Sequence, residues 1–281
     1  MKTDYYIHQV IPEKYLHWRA FTEVVQSVQG ALHDLGYNAP VLSTGDDTQG
    51  KGRPIVFGAN LLDREINSSD KIIFNLEQIT PNSPWLSDAY ISILKASEVW
   101  DYSDNNIAEL AKLGVTAKKC GIGYHPCLER ITQLPESEKD IDVLHIGSIN
   151  ARRQKILDEL RSKGLKVEAA FNVYGKERDA LVARAKIVIN IHYYDSKVFE
   201  IVRCSYLMAN KAYILSEFGA DLEMESLFYD DGMTFTHYDV LADKCMHALK
   251  EINKRESIAR KGYEIFSEMK QSDMLRKVIE C

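Results

Sequence analysis

The sequence predicts an α/β protein of two doubly wound parallel-sheet domains facing a cleft, and three observations carry that expectation. Short apolar runs alternate with segments of helical spacing from residue 5 to residue 115. The alternation halts at the polar, proline-containing stretch "TQLPESEKD" (132–140) and then restarts. The apolar runs, "KIVINI" (186–191) among them, are hydrophobic on successive rather than alternate residues, as strands buried on both faces of a parallel sheet require.

Taken in order, "YYIHQVI" (5–11) reads as a strand. Phe21, Val24, Val25, Val28, Leu32 and Leu35 then recur at three- and four-residue steps up to Gly36, a helix with a glycine stop. "APVLS" (39–43), "PIVFGANLL" (54–62) and "KIIFNLEQI" (71–79) read as further strands, separated by the turn-rich "TGDDTQGKGRP" (44–54) and "NSSD" (67–70). Leu86, Tyr90, Ile93 and Leu94 mark a helix, "SEVWDYS" (97–103) a strand, and "NNIAELAKLGV" (105–115) a helix closing at Gly114. Beyond 140 come a strand "IDVLHIGS" (141–148), a helix over 151–163, a strand "LKVEAAF" (165–171) and a helix over 176–185. The strand "KIVINI", a helix over 198–209, the strand "AYILS" (212–216) and a charged helical tail from about 239 follow. The expected domains are therefore 1–132 and 141–281, split within 133–140.

Composition narrows the function. At 281 residues and 45% hydrophobic the chain can bury a substantial core, and its net charge of −6 disfavours a broad nucleic-acid or anionic-membrane surface. No 18-residue apolar stretch occurs and the amino terminus lacks a secretory apolar core, so a cytoplasmic location without a transmembrane segment is expected. Cys120, Cys127, Cys204, Cys245 and Cys281 are scattered and form no CxxC pair, which favours reduced thiols over a disulfide framework or a zinc site.

Polar residues crowd where apolar strands stop, and ligands of open parallel sheets bind at carboxyl strand ends. In "HIGSINARRQKIL" a strand ends at Gly147, a small-residue turn with Ser148 follows, and a helix begins near Asn150 or Ala151, an arrangement suited to phosphate. Arg152 and Arg153 in the first helical turn oppose the helix dipole unless an anion meets them. A tight turn with a solvated face is the equal alternative. The stretch is neither a Walker A loop nor a GxGxxG motif.

In "NIHYYDSKVFEIVR" (190–203), His192, Tyr193, Ser196, Lys197 and Glu200 gather at another strand end. Glu200 reads either as a helix-start glutamate or as an acceptor for a ribose diol. Lys197 and Arg203 flank it, and Ser216 and Glu217 end the next strand as a cap or as ligand-facing groups. In the first half Gly58, Asn60, Asn75, Glu77 and Gln78 end strands. Gly58, Asn60 and Gln78 are candidates for acceptor recognition, and Glu77 for a general base or a plain loop carboxylate. His125 reads as a structural histidine or a site group, and His192 as a structural histidine or, with Glu77, a catalytic candidate.

"EVWDYSDNNIAELAKLGV", "GIGYHP", "IGSINARRQKIL" and "KVFEIVRCSYLMANKAYILSE" resemble the glycosyltransferases of the GT-B fold. The likeness is greatest to the bacterial group with a glycosyl-transferase-group-1-like carboxyl domain, over about residues 95–220. The resemblance implies two Rossmann-like domains, a nucleoside-diphosphate sugar as co-substrate held chiefly by the second, an acceptor held by the first, and neither a bound metal nor a permanent cofactor. It implies that Gly147 and Ser148 lie beneath the donor diphosphate, that Arg152 or Arg153 balances its charge, and that Glu200 holds the ribose. The family's second glutamate, separated from the first by seven intervening residues, is absent: Met208 and His192 stand at the corresponding positions, and His192, Tyr193 or Ser196 are the substitutes. Surface-polysaccharide or glycoconjugate synthesis is the expected setting. A transferase acting on modified DNA bases, and a sugar-nucleotide sensor without chemistry, are the alternatives. The oligomeric state is left open.

Overall fold

A computed structural model describes residues 4–62, 70–80, 83, 85–229 and 231–280. Cys281 and most of the "NSSD" turn lie outside them. The chain divides into two compact units, residues 1–127 with 269–281, and residues 128–268. The break thus falls before the expected 133–140. That stretch belongs to the second unit, with a 3-10 turn at Glu136–Glu138 and the Lys139 ammonium bonded to Gln133 Oε1 and the Ala185 carbonyl, both at 3.0 Å.

The first unit contains β1 (Tyr5–Gln9), α1 (Thr22–Asp34), β2 (Val41–Ser43), β3 (Arg53–Phe57), β4 (Ile72–Asn75), α2 (Asp88–Lys95), β5 (Glu98–Asp101), α3 (Asp104–Lys112) and β6 (Ala117–Lys119). Its sheet is parallel throughout, in the order β2-β1-β3-β4-β5-β6. The apolar runs read as strands form its centre: Ile7, Ile55, Val56, Ile72 and Ile73 are fully buried. Val56, Ile73, Tyr90, Leu94, Val99 and Leu110 pack in one cluster beneath α2 and α3. Both helices start at serine caps, Ser87 accepting from the Tyr90 amide and Ser103 from that of Asn106. Two of the strands are shorter than read. "PIVFGANLL" leaves the sheet at Gly58, whose φ of 79° turns the backbone into the 3-10 segment Ala59–Leu61, and "KIIFNLEQI" leaves it after Asn75.

The second unit contains β7 (Ile141–Ile146), α4 (Ala151–Ser162), β8 (Val167–Ala170), α5 (Gly175–Arg184), β9 (Ala185–Asn190), α6 (Ile201–Ala209), β10 (Ile214–Glu217), α7 (Leu222–Ser226), β11 (Thr234–Thr236), α8 (Leu241–Lys250) and α9 (Ile252–Glu268). Its parallel sheet runs β11-β10-β9-β7-β8. Val143, Ile187, Ile189 and Leu215 meet Ile156, Leu157, Leu160, Leu241 and Cys245 on the helical side. The tail expected as one helical stretch splits: α8 and α9 stay here, whereas α10 (Gln271–Ile279) packs on α1 in the first unit, with Leu275 and Val278 buried. The helix expected from 198 begins at Ile201, because Lys197 takes a left-handed φ of 48° and Val198–Glu200 run outside the helix.

Candidate functional site

In the second unit the carboxyl ends of β7, β9 and β10 converge on the turn after Gly147. Gly147 has φ 127°, and a Cβ there would stand 3.1 Å from Arg203 Nη2 and 3.8 Å from Arg153 Nη1, so only glycine admits two guanidinium groups this close. Asn150 caps α4 by accepting from the Arg153 amide at 2.9 Å, and its Nδ2 donates to the Tyr193 carbonyl at 3.1 Å.

The two arginines of the first helical turn part company. Arg153 turns inward and is 2% exposed. Its Nε and Nη2 donate to the Ile191 carbonyl at 2.8 and 2.5 Å, and its Nη1 to the Ser148 carbonyl at 2.7 Å. Burial, with Arg203 nearby, pushes its pKa down to about 9, which leaves it charged at neutral pH. Arg152 lies over the Tyr238 ring, 4.0 Å from its centroid. It donates to both carboxylate oxygens of Glu217 and to the His192 carbonyl at 3.2 Å. The anion that the helix start calls for is thus supplied in part by the chain itself, 65 residues further on. Lys197 Nζ joins the same carboxylate at 3.1 Å. Burial alone would raise the Glu217 pKa, but Arg152 and Lys197 outweigh it and lower it.

Glu200 stands at the N-cap of α6. Its Oε2 accepts from Asn190 Nδ2 at 2.9 Å and lies 2.9 Å from His192 Nδ1, and its Oε1 is 3.8 Å from Arg153 Nη2. Burial would raise its pKa, yet His192, Arg203 and Asn190 together hold it at about 2, so it stays ionised. Asn190 joins three groups, since its Oδ1 accepts from Arg203 Nη1 at 2.7 Å and its Nδ2 also donates to Ser216 Oγ at 3.0 Å.

The structure therefore brings together Gly147, Ser148, Arg152, Arg153, His192, Tyr193, Lys197 and Glu200, with Ser196 in the β9–α6 connection beside Lys197. His192 is buried among Glu200, Gly219 and Glu217, whose Oε2 accepts from its backbone amide at 3.3 Å. The ring therefore braces Glu200 from inside the unit. Tyr193 is the exposed aromatic of the group, with Arg153 5.1 Å from its ring centroid. Arg203, Glu217 and Asn190 complete the cluster. Asn190 carries the one sequence signal not followed up, an amide inside an otherwise apolar strand, and Tyr238 carries none.

The first unit holds a separate polar centre, at the ends of β4 and β5. Glu77 is buried, accepts from Asn60 Nδ2 at 3.2 Å and lies 3.8 Å from His17 Nε2. Burial pushes its pKa up to about 7. Gly58 sets the turn that presents Asn60, and Gln78 is buried beside Glu77. Asp101, which the sequence reading passed over, is wholly buried and likewise raised to about 7. It accepts from Asn75 Nδ2 at 2.6 Å, from the Ser103 amide at 2.8 Å and from Asn106 Nδ2 at 3.1 Å. His125 has a structural role: its ring fills the space left by Gly30 of α1, and its Nε2 lies 3.4 Å from Asp34.

Among the described residues no group of three or more histidines, cysteines or acids is placed to hold a metal, and no helix is long and apolar enough to cross a membrane. Two parallel-sheet α/β units of this topology define the GT-B fold, and the chain has that fold. Over 99% of its length it superposes on 98% of Anabaena Alr3699/HepE, solved with UDP and glucose, at a TM-score of 0.65 and 9% identity. AviGT4, a glycosyltransferase involved in avilamycin A biosynthesis, matches 100% of the chain over 99% of its own, at 0.61 and 13% identity. T4 phage BGT, solved with its UDP-glucose substrate, matches 99% of both chains at 0.56 and 16% identity. Among sequence relatives, the uncharacterized protein L140 of Acanthamoeba polyphaga mimivirus is 32% identical over 199 residues, and L137 of the same virus 30% over 190. These matches cover 69% and 66% of this chain, but only 62% of L140 and 25% of L137. No family model matches the sequence.

Proposed function

We propose that the protein is a glycosyltransferase that takes a sugar from a nucleoside-diphosphate sugar and passes it to an acceptor. The observation that carries this reading is the charge of the Gly147 site. Arg152, Arg153, Lys197 and Arg203 converge there, paired in part with Glu200 and Glu217 and with Asp195 near Arg152, on a chain whose net charge is −6. Four cations gathered at one point suit a diphosphate, and they sit at the carboxyl ends of parallel strands beside the start of α4. The GT-B fold makes the same site the expected seat of the donor.

In this reading the phosphates lie over Gly147 and Ser148, and Glu200, held ionised and oriented by Asn190 and His192, accepts from the ribose hydroxyls. Negative charge grows on the diphosphate as the glycosidic bond breaks, so preorganised guanidinium groups stabilise the transition state more than the ground state. Arg203 and the outer face of Arg152 are assigned this role, because Arg153 is committed to backbone carbonyls. Tyr193, exposed at the rim, and Ser196 face the sugar. Glu77, with its pKa near 7, is assigned the general base, with Gly58, Asn60 and Gln78 on the acceptor side of the first unit. A cytoplasmic location is part of the proposal.

Calorimetric titration with UDP and UDP-glucose tests the site. Glu200→Gln should keep the fold and weaken binding by about 1–3 kcal/mol, the worth of a charged hydrogen bond. Unchanged affinity would refute the ribose assignment. Binding without transfer to any acceptor, oligonucleotides included, would favour a sensor over an enzyme.

A further inference from the structure

The second unit carries a cavity of about 530 Å³ at the opposite edge of its sheet from Gly147. Lys139 precedes β7, Lys186 is the second residue of β9 and Tyr213 precedes β10, so the cavity opens at the amino ends of the strands whose carboxyl ends form the site described above. The four residue steps of β9 from Lys186 to Asn190 separate the two by about 13 Å. Nothing in the proposed transfer reaction uses it.

Five cations line the cavity: Lys139, Lys186, Lys211, Arg255 and Arg260. Three lining carboxylates oppose them, Glu129, Glu136 and Glu256, and Asp142 pairs with Lys186, so the cations outnumber the acids by one on an acidic protein. Internal pairing is uneven. Arg255 is bound to Glu136 and to the carbonyls of Ala248 and Leu249, and Lys186 to Asp142. Lys139 bonds only neutral oxygens, and burial lowers its pKa. Lys211 rests over the Tyr263 ring, 4.4 Å from its centroid, and among the described residues no ion pair involves Arg260. Three cations thus face one cavity without a bound carboxylate.

The wall is also preorganised. Asn210, 3% exposed, accepts from the Arg130 and Ile131 amides at 2.7 and 2.8 Å. Its Nδ2 donates to the Leu128 and Tyr206 carbonyls at 2.8 Å, and its own carbonyl accepts from Gln133. All its side-chain capacity goes to fixing the 128–133 segment against the end of α6, so the cationic rim does not need to be ordered by a ligand.

We propose that this cavity is a second binding site, distinct from the Gly147 site, for a small organic phosphate of sugar-phosphate size. Three cations without a bound carboxylate fit a phosphate monoester, which carries about −1.5 to −2 at neutral pH. The volume exceeds what a bare phosphate fills and lies within the usual range for small-molecule pockets, about 300–1,000 Å³. Lys139 and Arg260 grip the phosphate, with Lys211 at the rim.

The test is calorimetry on the full chain with a hexose 6-phosphate, inorganic phosphate and the uncharged hexose, each with and without saturating UDP. The hexose phosphate should bind with or without UDP, inorganic phosphate more weakly, and the hexose not at all. Lys211→Ala with Arg260→Ala, both exposed positions, should weaken binding about tenfold or more. Amide shifts in the wild-type NMR spectrum should move at Lys211 and Gln133 and not at Gly147, a readout that no variant can confound. The proposal is overturned if neither phosphate binds at millimolar concentration, if UDP displaces the hexose phosphate, or if the double variant binds it as the wild type does.

Discussion

Replacing Arg153 with methionine should destabilise the second unit by about 2–4 kcal/mol. The side chain donates three hydrogen bonds to two buried acceptors, the Ile191 and Ser148 carbonyls. Leaving each carbonyl unpartnered costs about 1–3 kcal/mol, so the gross loss is about 2–6 kcal/mol. Two effects offset it: removing a cation from the first turn of α4 returns about 0.3–1 kcal/mol, and a buried guanidinium no longer has to be desolvated. Methionine retains the unbranched apolar stem, so little cavity is left. Hydrogen exchange at the amides of β9 reads the opening free energy of this unit directly. The same change at Arg152 should cost less than half as much. That guanidinium is partly solvated, and Glu217 keeps Lys197 at 3.1 Å and the His192 amide at 3.3 Å. If Arg153→Met left β9 protection within about 0.5 kcal/mol of wild type, the guanidinium would not be a brace. The reasoning that reserves ligand contact for Arg152 and Arg203 would then fall.

The Gly147→Ala substitution should weaken UDP binding, because a Cβ at φ 127° is strained and would push against Arg203 Nη2. A strain of about 1–3 kcal/mol corresponds to an affinity loss of roughly 5- to 150-fold by calorimetry, and unchanged affinity would place the phosphates elsewhere. The two units should also respond to pH with opposite signs. In the first, Glu77 and Asp101 titrate near 7 when folded and well below 5 when unfolded. The folded state then holds extra protons, and stability falls as pH rises from about 5 to 7. His8, its pKa lowered by burial, opposes this as one group against two. In the second, His145 is held down to about 3 by burial and by Arg203 and Arg153, so stability is lost as pH falls below 6.5. Glu200, at about 2, adds to that loss below about 4.5. Trp18, Trp85 and Trp100 all lie in the first unit, so urea midpoints followed by tryptophan fluorescence isolate its slope, and Glu77→Gln should flatten it. A rising fluorescence midpoint between pH 5 and 7 would contradict the assignment.

Most strands of both sheets were legible because buried parallel strands show short, mostly continuous apolar runs bounded by turn residues. The exceptions, β6 and β11, are three residues each and edge their sheets, so Ala117–Lys119 and Thr234–Thr236 lack the length to show a pattern. Gly147, Glu200 and the paired arginines could be picked out locally, since each breaks or fits a helix-end rule. What the two arginines bind could not, because Glu217 and Ile191 reach them only through the order of strands in the sheet. Asp101 escaped for the same reason: its partners Asn75 and Asn106 come from a neighbouring strand and the following helix. The start of α6 was placed early because Val198 and Phe199 are buried like helix residues while the backbone, turned by Lys197, is not yet helical.

The return of α10 to the first unit has a consequence for biosynthesis. Leu275 and Val278 close over α1, the Gln271 amide donates to the Tyr124 carbonyl, and Gln271 Oε1 receives the Gly123 amide at 2.7 Å. None of these partners exists while the ribosome is still making residues 128–268, a delay of about 7–28 s at usual elongation rates. The second unit is contiguous and can fold as it emerges, whereas the first, although translated earlier, waits with the α10-facing side of α1 uncovered. A nascent chain stalled before residue 269 should therefore offer that face to chaperones, and synthesis of α10 should withdraw it.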